Sequence, residues 1–262
     1  QTKVAAFYLK LLNPTINFPP GYIESLPYSE KCNRIDIENM SKNTTLISKS
    51  DWDSYETSWD FQRHPLLHSV SYLADAYTAW KAECEQRFLQ LKTNEEELNR
   101  IFIGIYGLQD ELTPEVADKD VTVHRIFDTK DDVPENMQGS SYVRTKRDEI
   151  VSLLSYAVGC MFGRYSPDKP GLVYAGGDWD AVYRMHHETY LVESQPIHLA
   201  DGKILAVKPT GYNQIAENGE WKNLSYPVDA DNIIPITDEE YMEDDIVSRL
   251  CDWLKAVYGG DT

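Results

Sequence analysis

The sequence predicts an α+β protein that is predominantly helical, with a small antiparallel strand and hairpin section at about residues 170–236. Apolar residues recur at intervals of three and four over residues 66–107 and 146–164, and again after residue 237, as one face of a helix requires. Between these regions, prolines, glycines and short β-branched runs are typical of strands joined by turns. A chain of 262 residues is long enough for one large domain or two small ones.

Four prolines between residues 14 and 27 predict that residues 1–30 form an extended connector from an upstream region. Residues 31–165 predict a helical spacer, whose first helix is indicated between residues 29 and 49. In the next stretch, SDWDSYETSWDFQRHPLL, the aromatic residues Trp52, Tyr55 and Trp59 recur at helical spacing, and Ser50 is placed as an N-cap. We therefore expect a packing helix here, with the three aromatic side chains as its packing or interface surface.

Two amphipathic helices are predicted next, one from Leu66 to Leu91 and one from Thr93 to Gly107. Thr93 and Glu96 fit a capping box at the start of the second helix, and Gly107 is suited to end it. Residues 112–145 predict a loop with a short strand at VTVHRIF, and a further helix is expected over residues 146–164.

Residues 166–236 predict the turn-rich β section, with strands at GLVYAG, QPIHLA and KILAVKP. Asp201-Gly202 is a hairpin signal between the last two strands. Residues 237–262 predict a C-terminal helix that leads into a downstream region. Its pattern begins at Thr237, with Glu240 as capping partner, and ends at Gly259-Gly260.

The formal net charge of −18 disfavours DNA binding by the chain as a whole, because such binding depends on Lys and Arg displacing counterions from phosphates. A local basic group remains, and its members are the candidates for DNA contact: Arg144, Lys146, Arg147 and Arg164. The alternative is a solvated helix start whose charges pair with neighbouring acids. The sequence has no apolar run of membrane-spanning length, so we expect a cytoplasmic protein without a membrane partner.

Motifs for methyl transfer are incomplete in this sequence. The only Pro-Pro pair, in NFPPGY, has Phe18 and Gly21 where an adenine-binding motif needs a polar acceptor and an aromatic ring. The glycines of YAGGDWD lack the strand, turn and helix that a nucleotide cofactor loop requires. We therefore assign no catalytic, cofactor-binding or metal-binding residue.

A magnesium nuclease is an alternative, because carboxylates and a lysine on adjoining strands can hold the ion and orient water. Two combinations have suitable residue types: Asp168 with Asp201-Gly202-Lys203, and Asp120 with Asp128-Thr129-Lys130. The group His186, His187, Glu188 and His198 is a weaker metal candidate, since the adjacent residues His186 and His187 would face opposite sides of a strand.

Five stretches, in order and covering most of the chain, resemble the middle section of the PglX family, the adenine-specific DNA methyltransferases of BREX phage-resistance systems. They are NPTINFPPGYIESLPY, SDWDSYETSWDFQRHPLL, EEELNRIFIGIYGLQDELTPEV, LLSYAVGCMFGRYSPDKPGLVYAGG and DNIIPITDEEYMEDDIVSRL. Similar stretches occur in related single-chain restriction-modification enzymes. The resemblance implies a parent enzyme with an S-adenosylmethionine site and an Asn-Pro-Pro-Tyr motif ahead of this region, and with recognition segments after it.

The resemblance also implies the role of this chain. The parent is expected to methylate adenine N6 in host DNA and so to mark that DNA as self. This chain is expected to be a non-catalytic spacer that supports DNA recognition, with no cofactor of its own. Its expected partners are the rest of the methyltransferase, double-stranded DNA through that parent, and other defence proteins. A magnesium nuclease domain and a protein-docking module of a defence complex remain the alternatives.

Overall fold

The computed structural model describes residues 2–15, 17, 19–67, 72–185 and 211–260. The chain divides into two compact units, each made of two separate segments. The first unit comprises Gln1–Trp52 and Ala79–Arg147, and the second comprises Asp53–Thr78 and Asp148–Thr262. Across the described ranges, none of the helices combines the length and apolar composition that crossing a lipid bilayer requires.

The described part of the first unit contains four helices and a two-stranded sheet. The helices are α1 (Lys3–Leu12), α2 (Pro20–Glu24), α3 (Ile35–Trp52) and α4 (Leu73–Tyr106), the last of which belongs to this unit from Ala79 onward. Strand β1 (Arg125–Phe127) pairs in parallel with β2 (Val143–Thr145). A hydrophobic core cluster forms where α4 meets the segments around the strands, and it includes Phe88, Leu91, Val121, Val123 and Met137.

The second unit combines two helices with an antiparallel sheet in the residues that are described. The helices are α5 (Lys146–Met161), which belongs to this unit from Asp148 onward, and α6 (Ile246–Tyr258). The sheet has the strand order β3 (Tyr183–Met185), β4 (Tyr212–Glu217) and β5 (Glu220–Val228). Asn218 and Gly219 join β4 to β5, and both have positive φ angles, +54° and +84°, as the tightest hairpin turns require.

The structure confirms the predicted fold class, since helices predominate and the antiparallel strands lie between residues 183 and 228. Three local predictions also agree. β1 falls within VTVHRIF, α5 begins at Lys146, and α4 ends beside Gly107, whose φ of +66° suits a helix end.

The predicted helix starts at Ser50, Leu66 and Thr93 are wrong. Helix α4 begins at Leu73, and Leu66 lies in a turn. Helix α3 continues through Ser50 to Trp52, and residues 53–67 form turns and irregular segments where a packing helix was expected. Helix α4 is continuous through Thr93, whose hydroxyl donates to the Leu89 carbonyl at 2.8 Å. A Ser or Thr inside a helix can bond the carbonyl four residues earlier, so its presence does not require an N-terminus.

Three further predictions of local structure are wrong. Residues 1–30 contain α1 and α2, and α2 starts at Pro20, since proline suits the first turn of a helix. GLVYAG is irregular, and the final helix starts at Ile246 rather than near Thr237, because Asp245 is its N-cap. QPIHLA, KILAVKP and Asp201-Gly202 lie outside the described residues. The organisation into connector, spacer, turn-rich section and final helix stays a prediction.

Candidate functional site

The three aromatic residues of the expected interface lie in different surroundings. Trp52 is the last residue of α3 in the first unit and is exposed. Tyr55 and Trp59 belong to the second unit, where 8% of Tyr55 and 96% of Trp59 is exposed. Tyr55 is therefore a core residue, and the two tryptophans are the members that remain candidates for an interface.

The four basic candidates for DNA contact are divided between the units. Arg144 is half-buried in β2, whereas Lys146 and Arg147 are exposed in the first turn of α5. Arg164 is exposed in the second unit, with its guanidinium carbon 5.4 Å from the ring centroid of Tyr165. The role of these four residues in DNA contact stays a prediction. Among them, Lys146 and Arg147 are exposed next to each other in the same helical turn.

A half-buried carboxyl group lies beside an aromatic cluster in the second unit. Burial raises the pKa of Glu56, and nearby Ser155, Arg164 and Tyr165 partly oppose that shift. The Glu56 Oε1 atom is buried without a hydrogen-bond partner among the described residues. The rings of Tyr156 and Tyr165 stack with centroids 5.1 Å apart. The Glu56 carboxyl can therefore hold a proton at a higher pH than an exposed one, within a densely packed aromatic environment.

A histidine and a serine lie within hydrogen-bond distance in the same unit. The direction of their hydrogen bond, however, is opposite to the one that nucleophilic catalysis requires. His64 Nε2 lies 3.2 Å from Ser152 Oγ, and His64 Nδ1 accepts from the backbone N–H of Leu66 at 3.2 Å. A neutral imidazole that accepts at Nδ1 carries its proton on Nε2. His64 therefore donates to Ser152 and does not act as the base that would activate this hydroxyl.

A second histidine has a clear positioning contact in the first unit. The buried carboxylate of Asp51, in the last turn of α3, accepts from the His124 backbone N–H at 3.1 Å and contacts His124 Nδ1 at 2.8 Å. The His124 ring also packs edge-on against Tyr142, with centroids 5.4 Å apart. These contacts fix the end of α3 against the entry to β1 and hold the imidazole in one orientation.

An ion-pair cluster lies at the start of β1. Arg125 donates two hydrogen bonds of 2.7 Å to Glu85, and its guanidinium carbon lies 4.6 Å from the Phe88 ring centroid. The hydrogen bond from Lys92 and the nearby positive charges of Lys92 and Arg125 lower the pKa of Asp118, although its burial opposes this shift. Arg125 and Lys92 thus pair with carboxylates of the protein itself. This pairing reduces the positive charge that the first unit offers to phosphates.

A cavity of about 490 Å³ lies in the first unit, and sequence reasoning missed it. Its lining includes Lys3, Thr44, Glu95, Asn99 and Asp120, which come from separate parts of the chain. Burial raises the pKa of Glu95, and the buried Thr44 Oγ1 has no hydrogen-bond partner among the described residues. The unpartnered Thr44 hydroxyl and the polar side chains of the lining make this cavity suited to water or a small polar molecule.

Two described members of the proposed nuclease combinations, Asp168 and Asp128, have structural contacts. Asp168 Oδ2 accepts from the Ser225 N–H at 2.8 Å and from its hydroxyl at 3.0 Å. Asp128 forms an ion pair with Lys81 at 2.8 Å. Within the described ranges, no group of three His, Cys, Asp or Glu side chains is placed to hold a metal ion. Lys203 and the histidines at 186, 187 and 198 lie outside those ranges.

Comparison with known proteins finds no matching family model. The adenine-specific methyltransferase PglX of Lacticaseibacillus casei (strain Zhang) is 43% identical over 180 residues, which are 66% of this chain and 13% of that protein. The adenine-specific methyltransferase BrxX of Escherichia coli O9:H4 (strain HS) is 27% identical over 260 residues, which are 99% of this chain and 18% of that protein. The chain thus spans less than a fifth of the length of these curated relatives.

Proposed function

Because the chain belongs to the PglX family of adenine-specific methyltransferases, we propose that it is a non-catalytic spacer that supports DNA recognition within such an enzyme. The parent enzyme would transfer a methyl group from S-adenosylmethionine to adenine N6 and mark host DNA in a BREX phage-defence system. The observation that carries this proposal is the match of almost the entire chain to a small part of a much longer methyltransferase.

The contacts of the reactive side chains support a structural role for this segment. His64 donates to Ser152, Asp51 fixes His124, and each contact joins parts of one unit that are distant in sequence. Asp168 similarly fixes a loop to Ser225 of β5. Groups that hold the fold in this way are poorly placed to change partners during a reaction, which favours the spacer over the nuclease alternative.

DNA contact by this segment is proposed chiefly through Lys146 and Arg147. Both side chains are exposed in the first turn of α5, where the backbone N–H groups and the helix dipole add to their positive potential. Arg144 is half-buried, so its replacement would also alter the fold of β2. Since the chain carries a net charge of −18, a contact here would position DNA that other parts of the methyltransferase bind more strongly.

The spacer proposal is tested in the whole methyltransferase by replacing one buried and one exposed residue of the second unit. Trp253 of α6 is fully buried and packs edge-on against Tyr156, whereas Leu172 is exposed. We expect Trp253→Ala to lower the rate of methylation at the target adenine and to weaken target DNA binding, with the Kd for S-adenosylmethionine unchanged. Leu172→Ala is the control and should retain wild-type methylation.

Two results would contradict the spacer proposal. One is loss of S-adenosylmethionine binding in Trp253→Ala while circular dichroism shows an intact fold, because the segment would then contribute to the cofactor site. The other is wild-type methylation in Trp253→Ala when hydrogen exchange shows that the second unit has been loosened, because the segment would then be dispensable.

The DNA contact has its own test in a salt series. We expect Lys146→Ala/Arg147→Ala to weaken DNA binding modestly and to reduce the slope of log K against log salt by about one per lost phosphate contact. Lys119→Ala/Lys130→Ala removes two other exposed lysines of the first unit and serves as the control. Unchanged affinity of the first variant at every salt concentration would remove the contact from the proposal.

A further inference from the structure

The connection between β5 and α6 has an unusual combination of charge and exposed apolar surface. We call residues 230–244 the acidic loop; it contains six acidic residues and no Lys or Arg. Four of its large apolar side chains are exposed: Ile233, Ile236, Tyr241 and Met242. Ile236 and Tyr241 are 88% and 65% exposed, so water surrounds most of each side chain.

Two buried carboxylates at its ends hold the acidic loop in a defined conformation. Asp229 Oδ1 accepts from the backbone N–H groups of Asp231 and Ile233, each at 3.2 Å. Asp245 Oδ2 accepts from the N–H groups of Tyr241 and Met242 at 2.7 and 2.9 Å. Both residues are buried, so these hydrogen bonds are shielded from water.

The middle of the acidic loop is also attached to the first turn of α6. The Ile246 N–H donates to the Pro235 carbonyl at 2.9 Å, and the Ser248 hydroxyl donates to the Met242 carbonyl at 2.6 Å. Ile236 and Tyr241 each lie next to one of these attachment points in sequence. The exposed apolar side chains are therefore carried by a fixed backbone, so little backbone entropy would be lost when a partner covers them.

We propose that the acidic loop is a docking surface for a basic polypeptide segment that carries apolar side chains of its own. Asp238, Glu239, Glu240 and Glu243 are exposed around the apolar residues and would attract Lys and Arg of the partner. Ile236 and Tyr241 are the anchors that the partner would cover. The charge argues against the other occupants: nucleic acid and anionic lipid are repelled, and a second copy of this chain carries the same net charge of −18.

The apolar part of the proposal is tested with a defined probe. Fluorescence anisotropy measures binding of the chain to a labelled amphipathic helical peptide of about 18 residues that is built from leucine and lysine. We expect Ile236→Ser/Tyr241→Ser to weaken binding about tenfold or more. Leu46→Ser/Leu89→Ser replaces two exposed apolar residues of the first unit and should change the Kd less than about twofold.

The charge part is tested with two variants that remove four negative charges each. We expect Asp238→Asn/Glu239→Gln/Glu240→Gln/Glu243→Gln to weaken peptide binding and to remove most of its salt dependence. The control neutralises four exposed acids of the first unit: Asp110→Asn/Glu111→Gln/Asp131→Asn/Glu135→Gln. It should retain nearly wild-type affinity.

Each contrary outcome overturns the docking proposal. No binding of the peptide by the wild-type chain would exclude the proposed partner chemistry. Equal weakening by the two charge variants would assign binding to the overall charge instead of the acidic loop. Sedimentation that shows a dimer, which Ile236→Ser/Tyr241→Ser dissociates, would identify a second copy as the occupant. None of these results depends on methylation, so they are independent of the spacer proposal.

Discussion

Replacing Arg125 with methionine is expected to destabilise the first unit by about 2–3 kcal/mol. Methionine retains an unbranched apolar stem beside Phe88 but loses the charge and all five N–H donors. The change therefore removes both 2.7 Å hydrogen bonds to Glu85 and the contact of the guanidinium with the Phe88 ring.

The expected magnitude follows from the partial burial of this ion pair. Each charge-assisted hydrogen bond contributes about 1 kcal/mol after allowance for solvent, and the ring contact adds about 0.5–1 kcal/mol. The Arg125 side chain is 20% exposed, whereas that of Lys81, which pairs with Asp128 at 2.8 Å, is 35% exposed and has a more exposed partner. Lys81→Met is therefore expected to destabilise the unit by less than about 1 kcal/mol.

Hydrogen exchange of the α4 amides between residues 79 and 106 measures the opening free energy of this unit separately from the second. A double-mutant cycle with Glu85→Gln isolates the ion pair, and we expect a coupling of about 1–2 kcal/mol. Equal destabilisation by Lys81→Met and Arg125→Met would refute the reasoning, because burial and geometry would then not determine the strength of these pairs.

Three further predictions concern the second unit. Tyr258→Phe removes the 2.9 Å hydrogen bond from the Tyr258 hydroxyl to the Leu66 carbonyl, and urea unfolding should show a loss of about 1–2 kcal/mol. Tyr55→Ala should destabilise this unit by about 3 kcal/mol and Trp59→Ala by less than about 0.5 kcal/mol, since Tyr55 is buried and Trp59 is exposed. Equal effects of the two replacements on thermal unfolding would contradict this prediction. Backbone N–H donors lower the pKa of Asp245, so the stabilising contribution of its carboxylate is complete above about pH 5 and is lost as the pH falls below about 4. The difference in unfolding free energy between wild type and Asp245→Asn should therefore shrink as the pH falls below about 4.

Local signals in the sequence predicted several element ends correctly. Gly107 and Gly259 follow α4 and α6, and both have the positive φ that favours glycine at a helix end. Ser50 and Thr93 misled the prediction, because the same residue types occur inside helices when their hydroxyls bond to a preceding carbonyl. Asn218-Gly219 was the missed signal: this dipeptide is typical of a tight hairpin, and it joins β4 to β5.

The sites were harder to predict because periodicity describes one element and not the packing of several. The spacing of Trp52, Tyr55 and Trp59 fits a helix face, yet α3 ends at Trp52, beside the contact of Asp51 with His124, which lies 73 residues away. The cavity beside Glu95 likewise combines residues from distant segments, and no local pattern indicates it. In contrast, the acidic and apolar composition of residues 230–244 can be read from the sequence. The structure adds that the large apolar side chains of this segment are exposed, which is what suggests a docking surface.

Calorimetric titration of S-adenosylmethionine into the 262-residue chain tests the central claim most directly. The spacer account predicts no saturable heat, because it places the site of the methyl donor elsewhere in the methyltransferase. Saturable binding with a stoichiometry of about one would contradict the account, since the segment would then contain the cofactor site.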